Sequence, residues 1–400
     1  MSARETINAE DREHALLSAS SAKIWLTCTP SARFSENFED STSDYAEQGT
    51  AAHTYADLRI RLAYAAPADF HGLMKEAEAF CTSNAYYDAE MERTITEYVD
   101  FLIERYAAAQ AMTKDAVLFT EQRLDYSAWA PEGFGTGDVI IIADGLMEVI
   151  DLKYGQGVPV SAEGNPQLRL YAAGAWAAYE MLYDIDTIQM TICQPRLDSI
   201  STSTIAVKNL LQWLDEEVRP KADQAWAGAG EFTPGEHCRF CKGLTRCRAI
   251  ADHNLELAKF EFKDAADLSI DEIAEILGRT DLLTMWVKAI GDYALEQALQ
   301  GVEVPGWKVV EGRSNRAYID QDAVAKQLVG NGYEEAIIYE RNLLGITAME
   351  KTIGKKNFNL LLANLVAKPP GAPKLAPSTD PRPAIGSADA ARSDFEEDTK

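Results

Sequence analysis

Gly137-Asp138-Val139-Ile140-Ile141-Ile142-Ala143-Asp144-Gly145-Leu146-Met147-Glu148-Val149-Ile150-Asp151-Leu152-Lys153 is the stretch whose reading decides the fold. Gly137–Ala143 reads as one strand and Leu146–Lys153 as its antiparallel partner. Asp144-Gly145 between them is a strong two-residue hairpin signal, because a tight turn there needs positive φ. With that turn Ala143 faces Leu146, and extending the pairing sets Asp138 directly opposite Asp151. Directly opposed residues have Cβ atoms about 4.5–5.5 Å apart. Lys153, two residues on, shares the face of Asp151. Two carboxylates that close repel unless a cation holds them, so the hairpin is expected to carry a metal site with an ammonium beside it. Read alone, the same residues also suit a strand opened by Asp138 and a solvated Asp151–Lys153 pair. The very apolar flanks, Val139 to Ile142 and Val149-Ile150, weigh against that reading, since an inward acid pair there is costly without a counter-ion.

The chain has 400 residues, 46% of them hydrophobic, enough for two or three domains with real cores. No apolar stretch approaches the roughly 20 residues needed to span a bilayer, and Met1-Ser2-Ala3-Arg4-Glu5-Thr6 lacks the apolar core of a secretion signal. The expectation is a soluble, cytoplasmic protein with no membrane partner. A net charge of −25 argues against a general nucleic-acid coat. It says little about one groove, and Arg239, Lys242, Arg246 and Arg248 supply local basic charge. Six cysteines in a long intracellular chain are not a disulfide framework.

Residues 14–112 read as mostly helical. Ser18 and Ser20 are expected N-caps of a short helix carrying Trp25, with Pro30 limiting its continuation. Further helices are expected over about 49–65 and 87–112, then strands at 116–123 and in the hairpin. An Ala-rich helix over 165–183, a strand over 187–194 and a helix over about 205–228 follow. This order implies an α/β core, a mixed central sheet flanked by helices. Residues 260–300 read as helical, 307–319 as a hairpin, and helices continue to about 367. The Pro, Ala, Ser and Asp-rich tail 368–400 is expected to be disordered. The expected domains are 14–250, 251–367 and the tail.

A divalent ion held by carboxylates lowers the pKa of an attacking water and stabilises charge on a phosphodiester transition state. Asp138, Asp151 and the Leu152 carbonyl suit the oxygen preference of Mg²⁺, and Lys153 is placed to steady the developing charge. These residues resemble the signature of the PD-(D/E)XK nuclease superfamily: Gly-x-x-Asp at Gly135–Asp138 and Asp-x-Lys at Asp151–Lys153. Two further pieces resemble its RecB-like branch. Gly49-Thr50-Ala51-Ala52-His53 is similar to a Gly-x-x-x-His motif whose histidine is a metal ligand there. Gln167-x-x-x-Tyr171 is similar to a Gln-x-x-x-Tyr motif on the helix after the active-site strands, and i, i+4 spacing lets both side chains share one face. The resemblance implies a restriction-endonuclease-like core over about 14–250 with a mainly helical C-terminal region. It implies Mg²⁺ or Mn²⁺ on His53, Asp138, Asp151 and Leu152, and Gln167 and Tyr171 against the active site or DNA. The second acid is Asp where the family more commonly has Glu.

Cys238-x2-Cys241-x5-Cys247 offers three thiolates at metal-site spacing, and a closed site needs a fourth ligand. With Cys28 the arrangement resembles the iron–sulfur nucleases of the RecB-like branch, including AddB-type subunits and CRISPR-associated RecB-like exonucleases. That likeness implies a [4Fe–4S] cluster on Cys28, Cys238, Cys241 and Cys247 that staples the chain around the nuclease core. Structural Zn²⁺ on the same four cysteines, or with His237 or His253 in place of Cys28, remains the alternative. Cys81 and Cys193 read as small hydrophobes. Trp307-Lys308 and Arg313-Ser314-Asn315-Arg316 mix aromatic and basic residues as single-strand binders do.

The chain also resembles a group of phage-encoded RecB-like proteins. The expected function is a metal-dependent exonuclease on single- or double-stranded DNA ends in phage recombination, repair or replication, with a recombination or replication protein as partner. Its rivals are a non-catalytic DNA-binding or assembly protein on the same fold and a zinc-stabilised interaction module.

Overall fold

The apolar run Val139–Ala143 is buried on both faces, as expected of a strand in the middle of a covered sheet. In the computed structural model it lies in β2 (Phe134–Ala143), between β1 (Val117–Asp125) and β3 (Gly145–Leu152). The structure describes residues 15–38, 44–256 and 269–307, with isolated positions 309, 326, 329, 330 and 354. The chain divides into two compact units, Met1–Gln297 and Ala298–Lys400, and the sheet lies in the first. Most of the hairpin expected over 307–319, the helices expected to 367 and the tail 368–400 lie outside the described residues. Among the described residues no helix is long and apolar enough to cross a membrane.

A five-stranded mixed sheet with helices on both faces forms the centre, its strands lying in chain order β1 to β5. Antiparallel pairing joins β1 to β2 and β2 to β3. β3 then pairs parallel with β4 (Ile185–Gln194), across the crossover made by α6 (Pro166–Tyr179). The hairpin register is the expected one from Ala143–Leu146 out to Val139–Ile150, but pairing stops there, so Asp138 and Asp151 are not the directly opposed pair that the sequence predicts. Of the two turn residues Gly145 alone takes positive φ, 73°.

The helices before the sheet are α1 (Ala22–Trp25), α2 (Ser31–Ser35), α3 (Asp44–Ala63), α4 (Pro67–Ser83) and α5 (Ala89–Met112). α3 and α5 cover one face, packing Ala52, Ala56, Ile95 and Leu102 against Val139, Ile141, Ile150 and Leu152. α6 covers the other with Leu168 and Leu170 against Ile140, Ile142, Met147 and Val149. Arg105 anchors α5 to the sheet through a 2.8 Å ion pair with buried Glu148, whose other oxygen receives Gln189 and Thr191.

Three expectations are corrected. Ser18 and Ser20 do not cap α1; Ser21 holds that position without a side-chain cap bond, while the Ser18 carbonyl accepts the Trp25 indole N–H at 3.0 Å. Residues 199–206, partly assigned to a helix, form the edge strand β5 (Ser199–Ala206). Its Ser-Ile-Ser-Thr-Ser-Thr-Ile-Ala alternation suits a half-buried strand, and Asp198 turns into it at φ 50°. The helix expected over 205–228 is α7 (Val207–Trp213), a π turn at Leu214–Val218, and α8 (Arg219–Ala227). Pro220 lacks the N–H that a straight helix would use, and a widened turn before it absorbs the defect. After the cysteine segment come α9 (Arg248–Leu255) and α10 (Ile270–Leu299).

Candidate functional site

β2 and β3 part company just beyond Val139–Ile150, and the functional side chains gather at that fork. The alternation of β1 and β2 changes phase there. Leu118 packs with the α3 and α5 cluster, and Thr120 Oγ1 donates to Asp57 on α3 at 2.7 Å. Past Glu121, Leu124 belongs instead to the α6 cluster. Glu121 itself stands at φ 48°, between the pairs Thr120–Val139 and Gln122–Gly137, which puts it opposite Asp138. A positive-φ residue in a strand re-aims its neighbours as a bulge does.

Asp138 is thereby turned toward α3. Its Oδ1 lies 3.1 Å from His53 Nδ1, and its Oδ2 accepts the Leu152 N–H at 2.7 Å. One ligand atom each from His53, Glu121 and Asp138 lie within 4.8 Å of one another. His53, Asp57, Glu121, Asp138 and Leu152 line one small cleft. Asp151 meets the α6 side: Lys153 Nζ is 2.9 Å from its Oδ2, and Gln167 Nε2 donates to its Oδ1 at 3.2 Å. Gln167 Nε2 also lies 3.4 Å from Tyr171 Oη. A Cβ on Gly135 would come within 2.7 Å of the Tyr171 ring. The glycine of Gly-x-x-Asp is therefore the seat of the tyrosine of Gln-x-x-x-Tyr.

The expected residues thus fall into two groups at the fork, His53 and Asp138 with the Leu152 N–H, and Asp151 with Lys153, Gln167 and Tyr171, joined by the chain bond between Asp151 and Leu152. Glu121 was not singled out from the sequence. Its signal would have been the register of β1 on β2, which a loop of eight residues leaves open. Arg196 braces the rim. It bonds Gln48 on α3 at 3.1 Å and Glu90 on α5 at 2.9 Å, and its guanidinium lies 4.8 Å from the centroid of the Tyr154 ring, next to Lys153.

The electrostatics are those of crowded acids. Burial pushes Glu121 up to about 7, reinforced by Asp138 and relieved in part by His53. Glu121 is exposed as a residue and lines the cleft. Burial pulls His53 down, but the Asp138 carboxylate outweighs it and the net shift is upward. Asp151, 4% exposed in its side chain, is raised by burial against the pull of Lys153. Burial works against the Lys153 ammonium, but Asp151 more than offsets it and holds the proton on.

Cys28, Cys238, Cys241 and Cys247 line a second cavity, with His237 and Phe34 in its wall. Cys238 Sγ accepts the Gly235 N–H at 3.4 Å and lies 3.9 Å from His237 Nε2. Among the described residues no three of the four sulfurs come within 4.8 Å of one another. His253 does not line this cavity, whereas His237 does. Cys193 is buried in the core and Cys81 is half-buried beside it.

A solved structure titled "Crystal structure of SSO0001" is similar to this chain at 13% identity, over 61% of this chain and 90% of that one, with a TM-score of 0.23. The cleft and the cysteine cavity both fall inside residues 14–383, the span matched by the family model described as "Protein of unknown function (DUF2800)", and the chain belongs to that family.

Proposed function

We propose that this chain is a metal-dependent deoxyribonuclease of the PD-(D/E)XK, RecB-like type that acts on DNA ends. The observation that carries the reading is the convergence of four motif fragments on one fork. His53 with Asp138, and Asp151 with Lys153, Gln167 and Tyr171, come from separate segments and form two contact groups joined through the Asp151–Leu152 backbone. A structural ion pair would not need a histidine, three acids and an ammonium at one strand end. Perturbed acids in a cleft are what acid–base chemistry requires.

His53, Asp138 and Glu121 would hold a divalent ion, with Asp151 and the Leu152 carbonyl beside them, and the donor set of carboxylates and one imidazole fits Mg²⁺ or Mn²⁺. The ion would supply an activated water and charge stabilisation on the phosphate. Lys153, kept protonated by Asp151, meets the negative charge that grows on the scissile phosphate. Gln167 fixes the Asp151 carboxylate. Tyr171, seated on Gly135, holds α6 at the distance Gln167 needs.

Cys28, Cys238, Cys241 and Cys247 form the second half of the reading. All four cysteines line one cavity, a donor set that suits a [4Fe–4S] cluster or Zn²⁺. The RecB-like resemblance favours the cluster, which would hold α1 and α2 to the segment before α9.

A time course on end-labelled linear and circular DNA with Mg²⁺ or Mn²⁺ tests the activity. Linear DNA is expected to be degraded only with the ion, and circular DNA to survive. Lys153→Ala should abolish cleavage in a protein that still folds without ion, at a lower melting temperature because Asp151 loses its partner. Parental rates in that variant would remove the assignment.

The acids also set a pH dependence. Glu121 titrates near 7 in the folded protein, above the ordinary glutamate value, so the ion-free fold binds the extra proton. The stability this group contributes is lost as pH rises from the unfolded value through about 7. A cation needs the deprotonated carboxylate and the neutral imidazole, so binding releases protons. Stabilisation by Mn²⁺, read as the shift in melting temperature, should therefore grow between about pH 6 and about pH 8. A shift that stays flat over that range would exclude Glu121 and His53 as ligands.

A further inference from the structure

Tyr98 on α5 reaches the same cleft from the face that α5 shares with α3. It is 1% exposed and lines the cleft with His53, Glu121, Asp138 and Leu152. Its Oη has no hydrogen-bond partner among the described residues. Buried hydroxyls in folded proteins are normally satisfied by protein or by ordered water. Here His53, Glu121 and Asp138 line the same cleft, and one ligand atom from each lies within 4.8 Å of the others. Burial, and then the neighbouring Asp138 carboxylate, keep the phenol proton in place. Oη is therefore a neutral, unpartnered donor on a residue that lines the candidate cation site.

We propose that the Tyr98 hydroxyl donates to a hydration water of the divalent cation held by His53, Glu121 and Asp138, which makes Tyr98 a positioning residue for that ion. The inference rests on reading the cleft as a cation site. It adds a requirement that the three ligands do not carry. Mg²⁺ and Mn²⁺ keep several waters when few protein groups coordinate them, and outer partners fix those waters and tune affinity. A neutral phenol does this without adding a fourth charge to a crowded set of acids. It also accounts for a tyrosine where the core would accept phenylalanine, since α5 otherwise faces the sheet with Met91, Ile95, Val99 and Leu102.

Tyr98→Phe in the full chain tests this, with Mn²⁺ affinity read by calorimetry and thermal unfolding read without ion. The variant is expected to bind Mn²⁺ about tenfold more weakly. Its ion-free melting temperature should equal or exceed the parent's, because the change removes an unpartnered buried hydroxyl. A structural role would give the opposite pattern, a lower ion-free melting temperature with unchanged affinity, and would overturn the proposal. Parental affinity in Tyr98→Phe, with affinity lost in Glu121→Gln, overturns the role of Tyr98 alone. A parent that binds no Mn²⁺, or binds it equally well after Glu121→Gln and Asp138→Asn, overturns the cation site and this inference with it.

Discussion

Asp138→Asn should lower the rate of DNA hydrolysis by about a thousandfold or more, equivalent to roughly 4 kcal/mol of transition-state stabilisation. Asp138 is the one side chain shared by both halves of the site. It touches His53 through Oδ1 and the Leu152 backbone through Oδ2, and its charge acts on Glu121, Asp151 and Lys153. Asparagine keeps the shape and can still accept the Leu152 N–H. It cannot supply the charge that draws a divalent ion between two strands.

The ion-free fold should tolerate this change. Removing one carboxylate relieves repulsion at Glu121 and Asp151, at the cost of the Asp138–His53 contact. Binding and catalytic sites are places where stability is given up for chemistry. The ion-free unfolding free energy is therefore expected to stay within about 1 kcal/mol of the parent's or to rise. Initial rates on end-labelled DNA and unfolding curves without ion separate the two effects. A variant that cleaves at the parental rate would remove the nuclease reading, and a variant that unfolds would show that Asp138 serves packing.

What the sequence displays about this site is its local part. The hairpin was legible because an apolar run, a turn with glycine and the pairing rule are all contained in seventeen consecutive residues. Its register followed from the turn. The direction of Asp138 did not follow. Simple alternation puts Asp138 on the face of Asp151, whereas the phase change at Glu121 turns it toward α3. Nothing about glutamate announces a positive φ, and the register of β1 depends on a loop that no short-range rule fixes. His53 was nameable from its resemblance alone, because its approach to Asp138 is tertiary. Gly135 shows the same limit from the other side. Its lack of a side chain matters because of Tyr171, thirty-six positions later, so its reason is visible only once α6 lies across β2. The edge strand β5 was legible in principle from its alternating Ser, Thr and Ile, but the helical pattern that follows obscured its end.

Cys28→Ser should detach the cysteine segment from the start of the fold. Thr29 Oγ1 donates to the Ala229 carbonyl at 2.7 Å across 200 residues of chain. Arg33 bonds the Trp226 carbonyl and lies over the Trp226 ring. These contacts close the loop weakly, since each is a single polar or cation–π interaction. A bound centre on all four cysteines closes it as a cross-link, and loop-closure entropy for a segment this long is worth about 5 kcal/mol. Loss of one ligand is expected to lower the melting temperature by roughly 10 °C and to open the chain between α8 and α9 to proteases. The cleft residues lie on α3, the sheet and α6, so cleavage at low temperature should persist in the protein that remains folded. Cys81→Ser, away from the cavity, should change neither melting nor metal content. Anaerobic protein carrying iron and acid-labile sulfide in equal amounts, both lost in Cys28→Ser, would assign the cluster. Zinc in their place would assign the alternative, and a Cys28→Ser protein with parental melting and metal content would show that the four thiols hold nothing in common.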